Sequence, residues 1–322
     1  MMRAFAAIAV ALFHFTNGSY QNGPLIQSKT TREFFTYGAQ GVELFYIISG
    51  FVITFALVKK SYLITDFHKF VLKRIIRIIP PYIFTIAAIV GVSLFLARFI
   101  WYSPFAFPYA QILVNMTFTA DLFPDIDWLN PIFKTLKVEF QWYFLLGLTV
   151  PFINKKNLHL LVFSSIILMC TYFTLHIDSA LISAPYFLIG VTCFYIFDKG
   201  FNHYLVGVLI LVFTLLLFKY QWEDVIIAAI GIPLILFVPE KFQFAHLTGK
   251  ISYSYYLIHG LIGGQFLYFT SNTEFAYNYP WLMILFALIL SWAGAFLMYQ
   301  FIERPSLKIS KRITYSQKVK SD

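Results

Sequence analysis

Long apolar runs, separated by short polar or basic stretches, follow one another from residue 4 to residue 301. A helix that crosses a hydrocarbon core of about 30 Å needs about 20 residues, with about 17 as the short limit. Runs at 4–19, 38–58, 78–100, 136–153, 158–175, 181–197, 203–219, 223–238, 251–270 and 280–301 meet or approach that length. The pattern predicts an all-α polytopic membrane protein with about ten transmembrane helices. The stretch 105–120 is apolar but interrupted by Pro104 and Pro108, and reads as a re-entrant or interfacial piece.

Composition agrees. The chain is 59% hydrophobic and 12% charged, whereas a soluble domain carries about 25% charged residues. Cys170 and Cys193 both fall inside apolar runs, which excludes a disulfide framework or zinc-type spacing. Charge then orients the spans. With Met1 in the cytoplasm, all of the 24 Lys and Arg residues except Lys29, Arg32, Arg98, Lys134, Lys137 and Lys219 fall on the inner side. That satisfies the positive-inside rule and requires an even number of spans, with both termini cytoplasmic. The net charge of +9 is therefore spread over inner loops and is not a nucleic-acid patch. The expected organisation is a membrane domain over 1–305 and a basic cytoplasmic tail, 306–322, near anionic lipid. No internal repeat is visible, which argues against a transporter built on inverted repeats.

Ionisable groups inside the runs point to a site, because such groups are costly in a bilayer. Eleven residues separate Arg3 from His14, about 16 Å of helical rise. This places Arg3 at the cytoplasmic end of the first span and His14 about halfway across. Histidine titrates near neutral pH and suits a general base or proton carrier; a plain inter-helix hydrogen bond is the other reading. Glu43 stands about one turn into the second span. It could pair with His14 and orient it, or simply join two helices. Gly41 and Gly50 would allow close helix approach.

Arg74 and Arg77, three apart, share a helix face at the cytoplasmic mouth of the third span. Two guanidinium forks suit a phosphate or pyrophosphate, such as those of coenzyme A, with ordinary basic flanking charge as the alternative. Pro80 and Pro81 are expected to bend or break the helix there. Glu139 and Tyr143, four apart, share a face, and this second carboxylate reads as part of an outer, acceptor-side site. The run Gly249–His259 brings Ser, Tyr and His residues into the ninth span, with His259 about 12 Å in by helical rise. Tyr253, Tyr255 and Tyr256 read either as an aromatic belt or as site residues. Glu303 reads as a structural partner for nearby basic groups. No Gly-rich phosphate loop, metal-ligand set or Gly-x-Ser-x-Gly elbow is present.

The order of these motifs resembles the acyltransferase 3 family of bacterial membrane O-acyltransferases. The residues that carry the resemblance are Arg3-x10-His14, Gly41-Val-Glu-Leu-Phe45 with Ser49-Gly-Phe51, and Arg74-x-x-Arg77. They continue with Leu136-x-x-Glu139-x-x-x-Tyr143, Ser252-Tyr-x-x-Tyr256-Leu-x-His259 and Glu303-Arg-Pro305. The stretch 152–248 matches by hydrophobicity alone. The resemblance implies ten core helices in a bacterial inner membrane. It also implies a cytosolic acyl-CoA donor, usually acetyl-CoA, used as co-substrate with no permanently bound cofactor. The implied acceptor is a hydroxyl of an envelope glycan. Arg3 and His14 match the family's arginine–histidine motif, Arg74 and Arg77 its cytoplasmic arginine pair, and Glu139 its fourth-span carboxylate.

Three departures stand out. Two methionines precede Arg3 where the family carries several residues, often Leu-Asp-Gly-Leu, so an upstream start or a trimmed end is expected. Lys134-Thr-Leu136 replaces Trp-Ser-Leu. The esterase-like domain fused to some members is absent from the sequence, so delivery to an extracytoplasmic partner protein and direct transfer to a lipid-linked glycan both stay open.

The expected activity is acyl transfer, most simply of acetyl, to a cell-envelope polysaccharide or its lipid-linked precursor. His14, Glu43 and Glu139 are the expected catalytic residues, and Arg3, Arg74 and Arg77 the expected donor-binding ones. Tyr143, Tyr253, Tyr256 and His259 are expected to hold substrate. The rival readings are a glycan or anion transporter or flippase, and an acyltransferase for a small secondary metabolite.

Overall fold

The computed structural model describes residues 2–18, 20, 23–153, 157–175, 181–237 and 243–316. Among these residues no β-strand forms, and Tyr20 and Gly23 make an isolated antiparallel bridge. The helices are α1 (Met2–Asn17), α2 (Lys29–Thr36), α3 (Gly41–Lys59), α4 (Phe67–Phe95), α5 (Tyr109–Met116), α6 (Ile132–Thr149), α7 (His159–Leu175) and α8 (Ala184–Lys199). They continue as α9 (His203–Lys219), α10 (Trp222–Phe237), α11 (Gln243–His259), α12 (Gln265–Thr270), α13 (Glu274–Asn278), α14 (Pro280–Met298) and α15 (Arg304–Arg312). Short 3-10 or π turns join several of them into longer rods. Among the described residues three rods are long and apolar enough to cross a membrane: Lys29–Lys59, Ile64–Ile100 and Pro280–Arg312, of 31, 37 and 33 residues, with mean hydropathy of 2.0 to 2.3. With outward rings such as Phe55, Phe84, Phe197 and Phe286 exposed, the chain is a membrane protein. A soluble fold would not leave so much apolar surface open.

Neighbouring helices run in opposite or equal directions that their contacts reveal. Gly41 lies under the Ala6 carbonyl and Gly38 under that of Ala9, so α1 runs antiparallel to α3. Small residues make this seam possible: Gly38 and Gly41 take the α1 backbone, and Ala6 is buried with Leu44 and Ile48 of α3. Tyr46 stacks on Phe187, Phe51 meets Phe194, and Lys59 pairs with Asp198 at 2.7 Å; α3 and α8 are therefore parallel. Gly50 faces the Phe187 backbone and Gly190 that of Ile47, so this seam too rests on missing side chains.

The structure changes the sequence reading at four places. The third apolar helix starts at Phe67, not near 78, and α4 continues through Pro80 and Pro81 without a break. Each proline removes one backbone donor, so the Ile76 and Arg77 carbonyls lose their helical N–H; close by, the Tyr253 hydroxyl donates to the Ile78 carbonyl at 3.0 Å and ties α11 to this turn. In the stretch 105–120, α5 is only 8 residues long. Tyr82 ties it to α4 by donating to the Asn115 carbonyl at 2.7 Å.

The other two changes concern α1 and the tail. Arg3 packs against Phe45, its guanidinium 5.7 Å from the ring centre. Phe45 is fourteen residues, about 21 Å, from the Lys59 end of α3. Arg3 therefore lies deep in the bundle, and His14 lies about 16 Å beyond it, toward the end of the bundle away from Lys59. The tail begins as helix, since α15 extends to Arg312. Residues 313–316 then fold back along the start of α4, where Ser316 donates its backbone N–H and its hydroxyl to Asp66, each at 2.9 Å. At the opposite end, Asp121 accepts from Lys137 and from the Trp128 indole, both at 2.7 Å. Burial works against its ionisation, but these two donors more than offset it and hold the Asp121 carboxyl below its ordinary value.

Candidate functional site

The polar side chains of α1, α3, α4, α6 and α11 meet in one column. At its lower end the Arg74 guanidinium lies over the Phe70 ring at 5.2 Å and the Tyr143 ring at 4.8 Å. The i, i+4 geometry between Phe70 and Arg74 is local to α4, while Tyr143 comes from the antiparallel α6. The Tyr143 hydroxyl donates to Glu139 Oε1 at 2.6 Å, and Ser49 donates to the same oxygen at 2.8 Å. Short bonds of this kind are expected where the acceptor is a carboxylate.

Above Glu139 is a cavity of about 30 Å³ lined by Arg3, Phe45, Thr135, Glu139, Tyr253 and Tyr256 among others. It has room for about one water. Arg3 Nε faces no partner although it is buried, which marks the cavity as a place that takes a polar guest. Glu303, 2% exposed, accepts from Ser254 at 2.6 Å and feels the charges of Arg77 and Arg3.

The column continues through Tyr256. Its hydroxyl bonds Thr135 at 2.8 Å, and its ring contacts Phe45 at 5.3 Å and His259 at 6.1 Å. His259 is fully buried, and its ring centre is 5.4 Å from that of His14. A π turn, Gly260–Gly264, follows His259 immediately. Such turns recur at functional sites. Here Gly263 lets α11 come against Phe15, the neighbour of His14.

The structure thus joins Arg3, Arg74, Glu139, Tyr143, Tyr253, Tyr256, His259 and His14, with Arg77 one turn above Arg74. Two expectations are not met, the pairing of Glu43 with His14 and the outer position of Glu139. Glu43 turns away from His14 toward α10: with its amide nitrogen facing the two acids, Gln40 donates to Glu43 Oε2 at 3.0 Å and to Asp224 Oδ1 at 3.3 Å. Glu139 is not on the outer side of His14 either. It is bonded to Ser49, midway along α3, and reaches Arg74 through Tyr143. Among the described residues no hydrogen bond joins His14 to a carboxylate; its ring neighbours are Phe13 and His259. Both corrections have one cause, the depth of α1. With Arg3 level with Phe45, His14 is carried past both acids. Ser49 and Ser254 are site residues that spacing alone did not single out, although Ser49 stands in the quoted Ser-Gly-Phe motif. No cluster of three metal-ligating side chains occurs among the described residues.

A comparison with protein families decides what kind of chain builds this column. Residues 1–300 match the family model described as an acyltransferase domain, Acyl_transf_3. The chain belongs to the acyltransferase 3 family. The match covers every residue of the column, so the column is the candidate active site of a membrane acyltransferase. No curated protein and no solved structure matches the chain.

Proposed function

We propose that this acyltransferase moves an acetyl group from cytosolic acetyl-CoA to a hydroxyl of a cell-envelope polysaccharide or its lipid-linked precursor, in a bacterial inner membrane. The protein would span that membrane about ten times, with both termini inside. The observation that carries the reading is the continuous column from the arginine pair to the histidine pair. Arg74 and Arg77 would hold the donor's phosphates. Tyr253 bonds the carbonyl next to Arg77, and from Tyr253 to His259 is six residues, about 9 Å along α11. The long pantetheine arm of coenzyme A can cover that distance. The cavity of about 30 Å³ holds a water and not that arm, so loading requires Tyr256 and its neighbours to swing aside.

At the upper end, the acceptor oxygen attacks the thioester carbonyl. A C–O bond forms, the C–S bond breaks, and the hydroxyl proton passes to His14, which returns it to the departing thiolate. Arg3, with Nε unpartnered at the cavity below, would hold a polar group of the donor's arm. Glu43 has no part in this step.

The test is the O-acetyl content of the envelope glycan, read by NMR, in a deletion strain carrying His14→Ala. Loss of O-acetyl signal is expected, with acetyl-CoA binding by the purified variant retained. Normal acetylation would sink the role given to His14. Arg74→Ala should instead weaken binding of labelled acetyl-CoA.

A further inference from the structure

The base proposed above lacks the orienting carboxylate that a catalytic histidine commonly has. The geometry points to His259 as the positioning residue in its place: its Nε2 receives an N–H from His14, fixing the His14 tautomer and leaving the other His14 nitrogen free to take a proton. This inference rests on the reading of His14 as base.

The His259 Nδ1 is 2.9 Å from the Tyr256 carbonyl oxygen. A carbonyl only accepts, so Nδ1 must carry the hydrogen. In the neutral ring Nε2 is then a bare acceptor. It is fully buried and, among the described residues, has no hydrogen-bond partner, a costly arrangement unless a donor arrives. The rings around it are Phe15 at 6.0 Å, Tyr255 at 6.0 Å, Tyr256 at 6.1 Å and His14 at 5.4 Å.

Phe15 has no polar hydrogen. The Tyr256 hydroxyl is already engaged with Thr135. Tyr255 is stacked nearly parallel to His259, at 13°, and its hydroxyl finds no partner. His14 is nearest and brings an N–H. Two imidazoles joined edge to edge by one N–H···N bond of about 3 Å have centres about 5 Å apart, close to the separation seen. A modest rotation of the half-buried His14 ring completes the bond.

The chemistry follows the logic of a base and its orienter, with a neutral imidazole where a carboxylate is usual. Donation to His259 pins one His14 nitrogen as N–H, so the other presents its lone pair to the acceptor hydroxyl. When His14 becomes imidazolium, His259 Nε2 remains an acceptor for it. No proton needs to pass to His259, and the Tyr256 carbonyl keeps Nδ1 protonated throughout. Gly263 and the π turn, by bringing α11 against Phe15, set the distance between the two rings.

The test uses the full chain in lipid nanodiscs, with acetyl-CoA as the probe and water or the host glycan as acceptor. Histidines are labelled with 15N, and the His14 ring signals are assigned by their loss in His14→Ala. One His14 tautomer is expected to dominate in the unaltered protein and to become a mixture in His259→Phe. Thiol release from acetyl-CoA should fall about ten- to a hundredfold in turnover number, as for other orienting partners, with KM for acetyl-CoA held within about twofold. His259→Gln, whose amide oxygen can accept near the Nε2 position, should recover part of the loss. In the His14→Ala background His259→Phe should add nothing.

An unchanged His14 tautomer in His259→Phe overturns the inference. So does an equal loss in the His14→Ala background, or an effect of Tyr255→Phe as large as that of His259→Phe. Retained acetyl-CoA binding shows that a variant has folded. Failure of the reading beneath is distinct: His14→Ala would then keep full activity, while the tautomer measurement still reports on the pair.

Discussion

Tyr143 serves two neighbours with two ends of one side chain. Its ring lies under the Arg74 guanidinium at 4.8 Å, and its hydroxyl donates to Glu139 at 2.6 Å. A hydrogen bond to a charged group contributes about 1.5–3 kcal/mol, and a desolvated cation–π contact up to about 2 kcal/mol. The two can be separated. Tyr143→Phe keeps the ring and loses the bond, so binding of the proposed donor, acetyl-CoA, should stay within about twofold while the unfolding temperature in detergent falls. Tyr143→Leu loses both and should weaken binding as well. Equal binding losses in the two variants would show that the hydroxyl, and not the ring, steadies Arg74. The i, i+4 spacing of Glu139 and Tyr143 was legible in the sequence, since one helix face is enough to bring them together. That the same ring would meet Arg74 was not, because it depends on how α6 crosses α4. Glu43 shows the converse. Its burial in an apolar run was readable, but which neighbour it faces is set by the rotation of α3, and it turned to Asp224.

At the scale of elements, the seam between α3 and α8 carries the clearest demand on sequence. A Cβ on Gly190 would run into the Ile47 carbonyl oxygen and lie 2.8 Å from the Phe51 backbone nitrogen. Both are backbone atoms and cannot rotate away, so the helices would have to part. Overpacking of this kind costs about 1–3 kcal/mol, more than the roughly 1 kcal/mol that alanine gains over glycine in a helix. Gly190→Ala should therefore lower the unfolding temperature in detergent. Gly207→Ala, on α9 with nothing within 4 Å of the new Cβ, should leave it unchanged or raise it. Matching shifts in the two variants would refute the close seam. Helix existence was legible wherever an apolar run was long and unbroken, as for α3 and α14. It was misjudged where local rules compete with neighbours: the prolines of α4 forecast a break, yet α4 runs through them, and the Tyr253 hydroxyl ties α11 to that turn at the Ile78 carbonyl. The depth of α1 had no local signal at all, because Gly38 and Gly41, which let it come against α3, say how close it comes and not how far along.

For the whole molecule, charge along the chain foretold that the tail would be basic and polar, and left it loose beside lipid. The fold instead straps residues 313–316 across the start of α4, the helix that bears Arg74 and Arg77. Asp66 holds the strap. Its side chain is 1% exposed and takes the Ser316 N–H and hydroxyl together with Lys69, which also donates to the Ser316 hydroxyl at 2.9 Å. Lys73, one turn further, donates to the Ile313 carbonyl at 2.6 Å and lies over the Tyr315 ring at 5.0 Å, which in turn packs on Tyr62 at 5.2 Å. The pattern was hidden because its members are some 250 residues apart in sequence, and a lone Asp before a basic helix reads locally as an N-cap. Removing one partner of such a cluster leaves buried donors unmade at about 1–3 kcal/mol each, enough to free a short terminal strap that few other contacts hold. Asp66→Ala should therefore expose the segment after α15, and limited trypsin digestion of the protein in nanodiscs should cut after Lys311 or Arg312 several-fold faster than in the unaltered chain. Asp66→Asn keeps one carbonyl acceptor and should fall between. Tyr315→Ala should speed cleavage as well, through Lys73 and Tyr62, without touching Asp66. Cleavage at the same rate in all four proteins would mean that the strap is not held by this cluster.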